Sequence, residues 1–227
     1  MTFTTSLPRR AALAAAALAG TALLSACAPV LVGGAFAGTA MVATDRRSAG
    51  TQVDDSTNEV KALAAIDATL GDRGHVTATS YNRLVLLTGE VPTEADKVAV
   101  EKAVAQIATV RATVNDIAVM PASSLSTRSN DSVITGKVKA AIFDAKDLQV
   151  ATIKVVTERG IVYLMGLVTE AEATRATEVA RVVGGVQKVV RVFQIVTPAQ
   201  LAAIQASIDP APAAAPASAA ASAPARP

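Results

Sequence analysis

The strongest constraint on this chain is that it repeats itself. Leu84-Val85-Leu86-Leu87-Thr88-Gly89-Glu90-Val91 returns in kind as Ile161-Val162-Tyr163-Leu164-Met165-Gly166-Leu167-Val168, 77 residues later. Pro92 is an extra residue in the first copy, so the offset beyond it becomes 76. Thr93-Glu94-Ala95-Asp96 then matches Thr169-Glu170-Ala171-Glu172, and Val110–Val119 matches Val186–Ile195. The opening segments also align at 76, placing Ile66 on Ile142. Drift in an Ala/Val-rich chain can imitate one such match but not four in order, so the chain carries a tandem duplication.

Each copy reads as helix, strand, strand, helix, strand. In the second copy Asn130 or Asp131 is expected to cap a helix whose Ile134, Val138, Ala141 and Ile142 share one face. Ile153, Val155 and Thr157 alternate, and Glu158-Arg159-Gly160 turns the chain into Ile161–Gly166, which predicts a hairpin. Thr169 with Glu172 forms a capping box for a helix that buries Ala176, Val179, Ala180 and Val183 and stops at Gly184-Gly185. Val189–Val196 supplies the last strand. The first copy repeats this with Val76–Ser80, Leu84–Gly89, Thr93–Ala108 and Val114–Val119, and its hairpin turns on Asn82, a residue that tolerates positive φ. The fold class is α+β: each unit has a small mixed three-stranded sheet covered by two helices on one face. Gly89 and Gly166 are expected where a helix backbone comes close. Strand order stays open, and packing between the two copies is plausible because each is near the lower size limit for independent folding.

Charge divides unevenly along the chain. The formal net charge of +2 resides in Arg9 and Arg10, and the remaining side chains balance. Residues 51–120 hold 6 basic groups against 10 acidic, whereas residues 128–197 hold 10 against 7. The basic half is the better candidate for an anionic partner. Four Phe, two Tyr and no Trp argue against a stacking surface for nucleic acid. One His and one Cys cannot build a zinc site or a Cys-His pair, so no cofactor, metal or catalytic activity is expected. His75 reads as a surface residue, and Asp54-Asp55, Asp67 and Asp72 as carboxylates at helix ends or in loops.

Arg9-Arg10 precede an uncharged apolar run, Ala11–Leu24, which is the layout of a secretory signal. The run meets Leu24-Ser25-Ala26-Cys27, similar to a bacterial lipobox. Cleavage there leaves Cys27 as an acylated amino terminus, and several acyl chains, at about 0.8 kcal/mol per buried methylene, anchor durably. A single spanning helix is the competing reading, opposed by Pro29, Gly33, Gly34 and Gly38. Residues 1–26 are thus assigned to a signal, 27–50 to a lipidated linker, 51–120 and 128–197 to the two units, and 198–227 to a Pro/Ala-rich disordered tail in which Pro198 can open a short helix through Ile208.

Two such units carrying Leu-Leu-Thr-Gly-Glu-Val and Tyr-Leu-Met-Gly-Leu-Val resemble tandem BON domains, and Thr44–Asp55 is similar to the linker of dual-BON outer-membrane lipoproteins. The resemblance implies a non-catalytic protein on the inner leaflet of the outer membrane, facing the periplasm, that binds anionic phospholipid. It also implies a role in envelope integrity, gathering at division sites, and contacts with outer-membrane assembly or division proteins. Membrane contact in that family is assigned to the first helix of the second domain, here about Arg128 to Asp144, with Asn130 standing where the family has Trp.

Helical spacing gives the same stretch a second, outward apolar stripe of Val133, Gly136, Ala140 and Phe143, bordered by Lys137, Lys139 and Lys146. Apolar atoms framed by lysines suit an interfacial helix, and each lysine near an anionic surface contributes about 1 kcal/mol. The candidate contact residues are Arg128, Asn130, Val133, Lys137, Lys139, Ala140 and Phe143, with Cys27 as the lipid attachment. Two alternatives stay open here: Phe143 packs on the other unit with the lysines merely solvated, or the chain is a lipid-anchored adaptor or chaperone-like module without lipid recognition.

Overall fold

The computed structural model describes residues 45–208, so the signal, Cys27 and the chain after Ile208 lie outside the described residues. The first repeat runs α1 (Ala49–Leu70), β1 (His75–Tyr81), β2 (Leu84–Val91), α2 (Glu94–Ala105) and β3 (Ala112–Val119). The second runs α3 (Leu125–Asp144), β4 (Ile153–Glu158), β5 (Ile161–Val168), α4 (Glu170–Arg181) and β6 (Lys188–Ile195). A last helix, α5 (Pro198–Ile208), follows, the short helix that Pro198 is expected to open, so within the span 198–227 assigned to the tail the described part is helical. Thr197 and Gln200 exchange hydrogen bonds at its start, and Ile204 packs against the seam between the repeats.

Each sheet places the second strand of the hairpin in the middle. β1 pairs antiparallel with β2, which pairs parallel with β3 through the α2 crossover, and β4-β5-β6 repeats that order. Asn82 and Arg83 take positive φ at the first hairpin turn, and Arg159 and Gly160 at the second. A Cβ at Gly89 would collide with the carbonyl oxygen of His75, and one at Gly166 would lie 2.6 Å from that of Thr152. The close approach therefore comes from the neighbouring strand and the turn before it, not from a helix as expected.

The central strands are apolar along nearly their whole length because both faces are buried. Val85, Leu87 and Val91 point into the first core with Ala62, Ile66, Val100 and Val104. Val162, Leu164 and Val168 do the same in the second, with Ile134, Val138, Ile142 and Ala176. Val179 and Val183 are only partly buried, and α4 ends at Arg181 ahead of the glycine pair. On the opposite faces Tyr81 and Leu86 meet Tyr163, Met165, Leu167 and Val192 in a third cluster. The two repeats thus pack sheet against sheet with their helices outside.

Ser48 and Ser124 are the true N-caps of α1 and α3, each accepting from the backbone of a threonine three residues on. Asn130 and Asp131 therefore lie inside α3, which corrects their expected capping role and starts that helix ahead of Arg128. Asp131 is buried and accepts from the backbone N–H groups of Arg159 and Gly160, both at 2.8 Å. Its counterpart Asp55, also buried, accepts from Asn82 N, Arg83 N and Ser80 Oγ, each at 2.7 Å. Asp55 is thus neither at a helix end nor in a loop: each first helix is pinned to its own hairpin turn by one carboxylate. Asp131→Ala leaves two donors without their charged acceptor and is expected to cost roughly 3 kcal/mol in urea denaturation, with Asp131→Asn costing less.

Candidate membrane-contact surface

α3 buries Ile134, Val138 and Ile142, which turns the opposite side of the helix to solvent. Val133, Gly136, Ala140 and Phe143 are all exposed on that side, Val133 at 54 % and Phe143 at 71 %. Phe143 therefore does not pack on the first repeat. Lys137, Lys139 and Lys146 are exposed and, among the described residues, form no ion pair. The equivalent helix α1 also exposes Val53, Val60 and Leu63, but Leu63 stands where α3 has Lys139, and Asp67 where it has Phe143. No helix of the described residues is long and apolar enough to cross a membrane.

The remaining two candidates face elsewhere. Asn130 is exposed and lines a cavity of about 550 Å³ with Glu90, Pro121, Ser123, Arg159 and Gln187. Arg128 is half-buried against the first repeat, its Nη1 3.4 Å from His75 Nδ1. Sequence spacing thus brings Val133, Lys137, Ala140 and Phe143 to one surface with Lys139 at its border, while Arg128 and Asn130 turn toward the joint between repeats.

That joint holds the buried charges. Glu90 is fully buried, and its carboxylate accepts from Arg159 Nη1 at 3.1 Å and from Ser123 N at 3.1 Å. Arg159 also donates to the Gly89 carbonyl at 3.2 Å. Tyr163 Oη donates to Asp116 at 2.8 Å, and Lys154 Nζ to Glu59 at 2.5 Å. Ahead of α1, Arg46 grips Glu172 with both guanidinium nitrogens (2.9 and 2.6 Å) and donates to the Leu167 carbonyl. Its hydrogen bonds, then two from Thr169 and its charge, pull the Glu172 carboxyl down to about 2 against the opposing effect of burial. Arg47 lies 4.2 Å over the Tyr81 ring and pairs with Asp45 and Asp55. Apart from Arg47 with its near neighbours Asp45 and Asp55, these partners are not signalled locally, because they join residues far apart in the chain; only the charge types and the repeat hint at them.

The BON domain family description matches residues 54–121 and again 130–197. The chain belongs to the BON family, as a tandem of the DolP type. It is 37 % identical over 179 residues to the outer membrane lipoprotein DolP of Haemophilus influenzae, across 78 % of this chain and 92 % of that one. It is 35 % identical over 154 residues to a 21 kDa hemolysin of Actinobacillus pleuropneumoniae, across 67 % of this chain and 79 % of that one. Among solved structures, CdsD of the Chlamydia trachomatis type III secretion system aligns at 11 % identity, covering 63 % of this chain and 96 % of that one, with a TM-score of 0.27.

Within this BON tandem one buried acid titrates near neutrality. Burial, then the negative charges of Glu90 and Asp131, push the Glu158 carboxyl up to about 7. A pKa raised above its unfolded value means that this acid supports the fold fully below about pH 4.5 and that the support is lost as pH rises through about 7. Glu158→Gln keeps the neutral shape at every pH. It is expected to raise Tm by roughly 3 °C or more at pH 8 and by much less at pH 5, measured by thermal melts across that range.

Proposed function

We propose that this tandem BON protein is a lipid-anchored outer-membrane protein, facing the periplasm, that lays α3 against anionic phospholipid. The observation that carries the reading is the solvent-facing stripe of Val133, Ala140 and Phe143 framed by unpaired Lys137, Lys139 and Lys146. Inserted apolar atoms and lysines on phosphates are each weak, with three lysines contributing around 3 kcal/mol. The lipobox cysteine, Cys27, supplies the remainder: an acyl anchor holds the surface at high local concentration beside the bilayer. The name and identity of the Haemophilus relative support this placement.

The repeats then divide the work. The second is basic and reads phospholipid, while the first is acidic and its exposed Val53 and Val60 on α1 suit contacts with envelope proteins, including those of outer-membrane assembly or division. Support of envelope integrity follows from joining the two. No group in the described residues is assigned a catalytic role.

The test is flotation of a non-acylated form, carrying Cys27→Ala, with vesicles of phosphatidylglycerol in phosphatidylcholine. Lys137→Glu/Lys139→Glu is expected to weaken binding at least tenfold, Phe143→Ser to weaken it severalfold, and salt to weaken the parent protein. Binding unchanged by both substitutions would remove α3 from the proposal.

A further inference from the structure

Two buried polar atoms of opposite character lie without a partner beside α3. Glu158 ends β4 at 5 % exposure, and its Oε1 receives no hydrogen bond. Arg128 leaves its Nε–H without an acceptor. Both side chains line one pocket of about 170 Å³, together with His75, Thr77, Ser132 and Thr135. Leaving either atom unpaired is costly, so the pair is informative about what the pocket is shaped to hold.

The surrounding charges narrow the choice. A simple anion placed on Arg128 would meet Glu158, with Glu90 and Asp131 behind it. A simple cation placed on Glu158 would meet Arg128 and Arg159. Asp131 also lines the pocket, with each of its oxygens already accepting one bond from the hairpin turn. A molecule carrying both charges answers both vacancies at once. The pocket is several times the share of one liquid water, about 30 Å³, and admits a group of headgroup size.

We infer that this pocket binds a small zwitterion with an oxyanion and a primary ammonium: the oxyanion on Arg128 Nε–H, the ammonium on Glu158 Oε1. The hydroxyls of Thr77 and Ser132 supply further polar partners. Such a ligand is either the headgroup of an ethanolamine phospholipid or a free zwitterion of the same chemistry. The pocket uses the flank of α3 that carries Arg128, Ser132 and Thr135, not the Val133–Phe143 stripe, so it stands or falls apart from contact with anionic lipid.

The experiment is calorimetric titration of the full chain in non-ionic detergent at pH 8. O-phosphoethanolamine is the probe; inorganic phosphate, ethanolamine and phosphocholine are the controls, the last lacking ammonium N–H groups. O-phosphoethanolamine is expected to bind at least tenfold more tightly than any control. Arg128→Gln and Glu158→Gln should each abolish that preference; the second removes a buried acid, so its loss of binding does not report unfolding. Affinity should also fall at pH 6, where Glu158, faced by His75 from β1, Glu90 from β2, Arg128 and Asp131 from α3, and Arg159 from the turn, carries its proton. Flotation with phosphatidylethanolamine in phosphatidylcholine separates the sources: a gain over phosphatidylcholine alone assigns the lipid headgroup, and binding only of the soluble probe assigns a free zwitterion. Phosphate binding as tightly as phosphoethanolamine, or no binding of any probe, overturns the inference.

Discussion

The structure depends on the burial of one sheet face against another. A three-stranded sheet with helices on one side leaves its other side to water, and units of about 70 residues have little core to spare. Here the exposed side of each sheet is the cover for its twin: Tyr81 and Leu86 from one repeat close on Tyr163, Met165, Leu167 and Val192 of the other. Each large apolar side chain so buried contributes roughly 1.5–3 kcal/mol. Most polar groups at the seam are paired, as Glu90 is with Arg159 and Tyr163 with Asp116, while Glu158 Oε1 and Arg128 Nε are buried without a partner. The consequence for function is directional. With the sheets turned inward, α1 and α3 are left on the outside, so the outward stripe of α3 is free for a partner that the fold itself does not use.

Duplication explains why the halves fold alike, and divergence why they behave differently. The carboxylates Asp55 and Asp131 perform the same task, gripping a hairpin turn from inside the first helix. At the hairpin ends the copies differ: Tyr81 lies under the Arg47 guanidinium, while Glu158 in the corresponding place is a buried acid beside Arg128. On the outer helices Leu63 and Asp67 are exchanged for Lys139 and Phe143. A shared scaffold thereby carries one acidic surface and one cationic amphipathic surface.

Much of this was legible in the sequence. The repeat, the α+β element order, the Thr169–Glu172 capping box and the left-handed turn at Asn82 are local signals, and each is present. The outward stripe of α3 was legible because helical spacing alone separates it from Ile134, Val138 and Ile142. Strand order was not, since the hairpin and crossover fit more than one arrangement. Its clue was the unbroken apolar run of Ile161–Val168, a strand too greasy for an edge. Asp55 and Asp131 misled because a short acidic residue before an apolar face reads as a cap, whereas the real caps, Ser48 and Ser124, lie seven residues earlier. The Glu90–Arg159 pair and the Arg46–Glu172 clasp link residues 69 and 126 apart, and local reasoning has no purchase on such contacts.

The central claim is that the seam makes the two repeats one cooperative body. Native-state hydrogen exchange on the full chain tests it most directly, using Leu86→Ala in the first repeat and reading the β5 amides of the second. Truncating this buried leucine is expected to cost about 2–5 kcal/mol. If the seam couples the repeats, protection of the Val162–Leu167 amides falls by a comparable amount. Loss confined to β1–β3, with β5 unchanged, would contradict it.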